Sequence, residues 1–152
     1  MYVLYLVGAL RSLLQIPYYS DLHILLLKMP AILCDIACGF LLYREAVKRL
    51  HFSELQGIFV SSAYLFQPAI ILNSSCWGQV DSVYTLMVIL MCLFLMEGNM
   101  LPAYAVYGLG ILLKPQMLIF TPVLLAGIWD HVFLHDFSWR KFFYNLCGGL
   151  SV

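Results

Sequence analysis

Two short runs hold most of the side chains able to do chemistry: Trp77-Gly78-Gln79-Val80-Asp81-Ser82 and Lys114-Pro115-Gln116. The first sets an indole, a carboxamide, a carboxylate and a hydroxyl close together, with Tyr84 just behind. The second adds an ammonium and another carboxamide. An aromatic ring beside amide and carboxylate groups suits a sugar, whose apolar face stacks while its hydroxyls form hydrogen bonds. A lysine near a membrane boundary suits a phosphate as a point charge. Trp77, Gln79, Asp81, Ser82, Lys114 and Gln116 are therefore the candidate substrate-binding residues, and a lipid-phosphate-linked sugar is the ligand they fit. Each also has a plainer role. Trp77 suits an interfacial aromatic belt, Asp81 and Ser82 suit a helix cap, and Lys114 can snorkel to water without a ligand.

The surroundings explain why these polar runs stand out. The chain has 152 residues, of which 63% are hydrophobic and 11% charged, with a mean hydropathy of +0.91. A soluble domain carries roughly 25% charged residues. The composition therefore predicts an all-α, polytopic transmembrane helical bundle, one domain spanning 1–152. The formal net charge is zero, and no basic tail argues for nucleic acid. Cys34, Cys38, Cys92 and Cys147 lie in apolar runs, Cys76 lies in the polar one, and no CxxC occurs. That pattern favours neither a disulfide framework nor a metal site. His131 and His135 could share a helix face but lack a third ligand. No G-x-G-x-x-G, Walker A, H-E-x-x-H or G-x-S-x-G pattern occurs.

In chain order, apolar residues from Met1 to Tyr19 are interrupted by Arg11 and read as a membrane helix or the tail of one. Ser20 to His23 is a short connection. Ile24 to Tyr43 matches the ~20 residues of a span, with Lys28 and Asp35 inside it. They lie about two turns apart on nearly one face, too far for a direct pair unless both side chains stretch. Asp35 reads as a structural partner between helices or a functional carboxylate. Arg44 to His51 is a basic loop, placed on the cytoplasmic side by its lysine and arginines. Leu55 to Leu72 is the next span, kinked or broken late by Pro68, where Gln67 could satisfy freed backbone groups. Asn73 to Ser82 then becomes an outward loop.

Val83 to Met96 is short for a span, at about 21 Å. Borrowing backwards would draw Asp81 and Ser82 to membrane depth, where polar groups are tolerated when they line a cavity or are buried in protein. Glu97 to Asn99 is a tight cytoplasmic turn. At Pro115 the apolar run from Leu101 to Trp129 either breaks, which is the preferred reading, or only kinks. A break puts Lys114 and Gln116 on the outer face, whereas a kink inverts everything after them. Asp130 to Lys141 reads as a cytoplasmic loop. Phe142 to Val152 starts a helix and stops short of a span, so the chain is expected to be cut at both ends, in a bundle of about 5–7 membrane helices.

Trp77-Gly78-Gln79-Val80-Asp81-Ser82-Val83-Tyr84, Lys114-Pro115-Gln116 and the K-x-P-x-x-x-x-D pattern from Lys28 to Asp35 occur in the order seen in the GT-C superfamily of integral-membrane glycosyltransferases. The chain resembles that family over roughly residues 24 to 125. The resemblance implies transfer of a sugar from a polyprenyl-phosphate donor to an acceptor on the extracytoplasmic or luminal side. It implies a multi-pass protein of the bacterial cytoplasmic membrane, or of the endoplasmic reticulum in a eukaryote, with a divalent metal as a possible cofactor of the full-length enzyme. Family members place their essential acidic residue in the first outward loop. Asp21 lies in an outward loop but lacks the surrounding motif, so the catalytic residue is expected upstream of residue 1 and the 152 residues alone are expected to be inactive. A non-enzymatic transporter or accessory subunit for lipid-linked substrates is the alternative, weakened by the lack of a convincing repeat between the two halves.

Overall fold

The computed structural model describes residues 2–17, 20–77 and 81–129. The described residues form an all-helical structure, joined by short connections and without a strand. The chain falls into two compact units, Met1–Leu86 and Met87–Val152. The expected cytoplasmic loop from Asp130 to Lys141, the His131/His135 pair and the helix starting at Phe142 lie outside the described residues.

The first unit begins with α1, Tyr2–Leu13, followed by α2, Asp21–Lys48. Ser20 caps α2 by accepting a hydrogen bond from the His23 amide, which satisfies one of the donors a helix start leaves open. At 28 residues the helix is about 42 Å long. It is long and apolar enough to cross a membrane, with a mean hydropathy of 2.0 over its most apolar stretch. Pro30 lies inside it without ending it.

The helix also runs beyond the expected Ile24–Tyr43 span. Arg44 to Lys48, expected in a loop, continues the helix. Lys48 in the last turn suits the negative end of the helix dipole. Glu45 pairs one turn on with Arg49, at 2.8 Å, and with Arg44 at 3.3 Å. Charge marked an end of the apolar segment here, and the backbone simply carried it past the boundary.

Next comes α3, Glu54–Leu65, which opens with a reciprocal capping box: the Gln56 amide donates to Ser53, and the Ser53 amide donates to the Gln56 side chain. It packs back along α2 on a stripe of small residues. Ala31, Cys38, Gly39 and Ala46 form the buried face of α2, with Asp35 among them. Small residues let two helix backbones approach closely. A Cβ placed on Gly39 would lie 2.9 Å from Leu65, and one on Gly57 would lie 2.7 Å from Val47. These pairings fix the antiparallel register of α2 against α3, and the same register sets Tyr64 beside Asp35 and Cys38.

The expected Leu55–Leu72 span is broken, and earlier than Pro68 alone requires. Helix α3 stops at Leu65, Phe66 and Gln67 turn, and α4, Pro68–Ile71, starts with proline in its first turn, where the missing N–H costs nothing. The bend is 49°. Gln67 caps α4 without a side-chain hydrogen bond. Its backbone carbonyl, rather than its amide group, accepts from Ile70 and Ile71.

Asn73 to Cys76, expected as loop, is helical too. Leu72–Cys76 forms a π-helical turn, closed by Trp77 N–H donating to the Leu72 carbonyl at 3.0 Å. Ser74 is buried, and its hydroxyl donates to the Ile70 carbonyl at 2.9 Å. That back-bond satisfies a polar side chain without leaving the helix. The next helix, α5, is Asp81–Met96. It starts two residues before the expected Val83, so Asp81 and Ser82 belong to the apolar helix rather than to a loop.

The second unit contains the turn at Glu97–Asn99, with Gly98 at φ 72°, a conformation open to glycine. It is followed by α6, Met100–Leu113, a 3-10 segment Pro115–Phe120, and α7, Thr121–Trp129. The expected break at Pro115 is present. Lys114 is extended, with φ −153° and ψ 114°, and the chain reverses after it. Tyr107 on α6 hydrogen-bonds Thr121 at the start of α7, although a continuous helix would hold those residues about 21 Å apart. Fully buried Met117 folds onto Gly110, where a Cβ would meet its sulfur at 3.0 Å.

Candidate functional site

A cavity of about 460 Å³ opens in the first unit, within the size range of small-molecule sites. Five elements build its wall. Asp35 comes from the middle of α2 and Tyr64 from the end of α3. Ala69 and Ile70 come from α4, and Leu72 and Asn73 from the π-helical turn. Trp77 follows that turn, and Asp81, Ser82 and Thr85 come from the first turns of α5. The break at Phe66–Gln67 makes room here: a straight continuation of α3 would carry Asn73 and Trp77 onward along the α3 axis.

Three of the residues expected from sequence, Trp77, Asp81 and Ser82, meet in this cavity. Trp77 is 74% exposed and forms part of the rim, whereas Ser82 is 4% exposed and lies deep. Asp81 is half-buried and starts α5, where the helix dipole favours a carboxylate. The Thr85 hydroxyl donates to the Asp81 carbonyl at 3.1 Å, fixing the first turn. Gln79 lies outside the described residues. Lys114 and Gln116 lie in the second unit, at the reversal between α6 and α7. Lys114 is half-buried, and its carbonyl accepts from the Met117 amide at 3.0 Å, while Gln116 is exposed.

Asp35, Tyr64, Asn73 and Thr85 complete the wall. From the sequence Asp35 reads as a structural partner between helices or a functional carboxylate, and Tyr64 carries no signal by itself. Asp35 is 5% exposed. Tyr64 approaches it across the α2–α3 interface, but the Asp35 Oδ2 atom is buried without a hydrogen-bond partner among the described residues. Leaving a buried acceptor unpaired costs about 1–3 kcal/mol, and more when it is charged. The signal that could have found the pair was the small-residue stripe, since it sets the register that brings Tyr64 to Asp35.

Among the described residues, no group of three or more His, Cys, Asp or Glu is placed to hold a metal ion. The cavity offers acceptors and hydroxyls: two carboxylates, an amide, a phenol, a serine and a threonine, with an indole at the mouth. Such a wall can accept hydrogen bonds from a donor-rich ligand and stack one of its faces. No family model, no curated protein and no solved structure matches the chain.

Proposed function

We propose that the chain forms the sugar-handling part of a multi-pass membrane glycosyltransferase of the GT-C type, in a bundle of 5–7 helices, using a polyprenyl-phosphate-linked donor and working on the extracytoplasmic or luminal side. The observation that carries this reading is the meeting of Trp77, Asp81 and Ser82 in one cavity at a helix break. Irregular backbone at membrane depth is tolerated where it lines a cavity, and the bend followed by the π-helical turn is such a place. Large apolar side chains along α2, including Leu25, Leu33, Ile36 and Phe40, are exposed, as a lipid-facing surface would require. Lys114 and Gln116, carried on the reversal after α6, are the residues proposed to approach the donor phosphate.

The test is sugar transfer from a polyprenyl-phosphate sugar by the membrane-embedded protein. Asp81→Ala and Lys114→Ala should each lower turnover by about tenfold or more, the effect of losing one hydrogen bond to a charged group. Unchanged turnover in both variants would sink the site assignment.

Buried Asp35 favours a second reading, since intramembrane carboxylates also mark transport paths. Solute uptake by reconstituted vesicles, without sugar transfer, would select the carrier.

A further inference from the structure

We infer that Asp35 is a ligand-binding group: its carboxylate accepts a hydrogen bond from a hydroxyl of a neutral polyhydroxylated ring seated in the first unit's cavity. The choice of ligand class rests on the reading of the cavity as a sugar site; the role of Asp35 rests on its own geometry. Asp35 is 5% exposed and lines the cavity, and Oδ2 is buried without a hydrogen-bond partner among the described residues. Buried polar atoms are almost always paired, and an exception in a cavity wall marks the place of a missing donor.

Tyr64 and the small residues around Asp35 explain its position but leave that oxygen unsatisfied. A residue needed only to join α2 and α3 would have both oxygens paired across the interface. Asp35 belongs both to the buried face of α2 and to the cavity wall.

The ligand chemistry follows from the wall. The described lining residues include Asp35 and Asp81 but no lysine, arginine or histidine. Two carboxylates disfavour an anion, whereas a hydroxyl can donate to them. The exposed indole of Trp77 at the mouth offers a flat apolar face to a ring. Asp35 therefore recognises the neutral ring, and a phosphate on the same ligand is held elsewhere.

The test uses the unaltered protein in lipid vesicles or nanodiscs. Dicyclohexylcarbodiimide, which enters apolar surroundings and modifies carboxyl groups there, should label Asp35, as located by peptide mass spectrometry. Methyl β-D-glucopyranoside should slow that labelling several-fold, and inorganic phosphate at matched ionic strength should not. No label on Asp35, or a labelling rate that the glycoside leaves unchanged, overturns the inference, as does equal protection by phosphate.

A second measurement separates binding from structure. Asp35→Asn keeps an acceptor for Tyr64 and removes the charge. Its Tm should stay within about 3 °C of the parent or rise, and the glycoside-induced rise in Tm should disappear. A fall of more than about 6 °C, or a retained glycoside shift, marks Asp35 as structural. Loss of sugar transfer with Asp35 protection intact would remove the transferase reading and leave this site. Transfer with Asp35 unprotected would remove this site and leave the transferase.

Discussion

A glycine decides whether α2 and α3 can touch. Gly57 is buried, and a Cβ there would lie 2.7 Å from Val47 Cγ2 and 3.0 Å from the Tyr43 ring. Gly57→Ala gains about 1 kcal/mol in helix propensity. It also presses on Val47, whose branched side chain has little rotamer freedom in a helix. Overpacking of this kind typically costs about 1–3 kcal/mol, so the clash outweighs the propensity. Gly57→Ala should lower Tm, and adding Val47→Ala should recover part of the loss. A Gly57→Ala protein more stable than its parent would show that the two helices are held apart.

The same contact explains what was legible at the residue scale. Trp77, Asp81 and Ser82 were readable because polar residues in an apolar chain need a reason to be there. Asp35 was visible as an oddity, but its partner was not. Tyr64 is two residues from Phe66 and four from Pro68 in an ordinary apolar run, and only the glycine-set register brings it to Asp35.

At the scale of elements, helix existence was readable and helix ends were not. Apolar length predicted α2, α5 and α6, and proline predicted the two interruptions. The boundaries moved because polar residues at these ends found partners inside the helix. Glu45 took Arg49, and Ser74 took the Ile70 carbonyl. The run from Asn73 to Cys76 looked like a loop by residue type, and only its internal hydrogen bonds make it helical.

The reversal at Lys114 has a direct check. In a double-mutant cycle, Tyr107→Phe and Thr121→Val should show a coupling of about 0.5–1.5 kcal/mol, the value of one hydrogen bond. Residues about 21 Å apart on an unbroken helix would show no coupling.

At the scale of the molecule, the reading as a multi-pass protein makes a topological claim that a native residue can report. Cys76 is exposed beside the cavity mouth, and on that reading the basic end of α2 puts the mouth on the outer side. An impermeant maleimide added to intact cells should label Cys76. A cysteine at Asn99, in a Cys76→Ser background, should be labelled only after the cells are opened. Asn99 is exposed and avoids the positive-φ strain at Gly98. Labelling of Asn99→Cys from outside would invert the orientation and place the cavity in the cytoplasm. The all-helical class followed from composition alone, because apolar residues in runs of this length leave backbone groups that a helix satisfies internally. The cavity did not follow from composition, since it depends on a bend and on one widened turn.

That widened turn makes the site sensitive to chain length as well as to side-chain identity. Trp77 bonds to Leu72, five residues back, where an α-helix would use the fourth. The turn therefore accommodates one residue more than a regular helix would. Removing a single residue between Ile71 and Trp77 would restore ordinary winding and rotate the indole by about 100° around the axis, away from the mouth it now borders. A deletion conservative in composition, hydrophobicity and charge would thus empty the rim of its aromatic face.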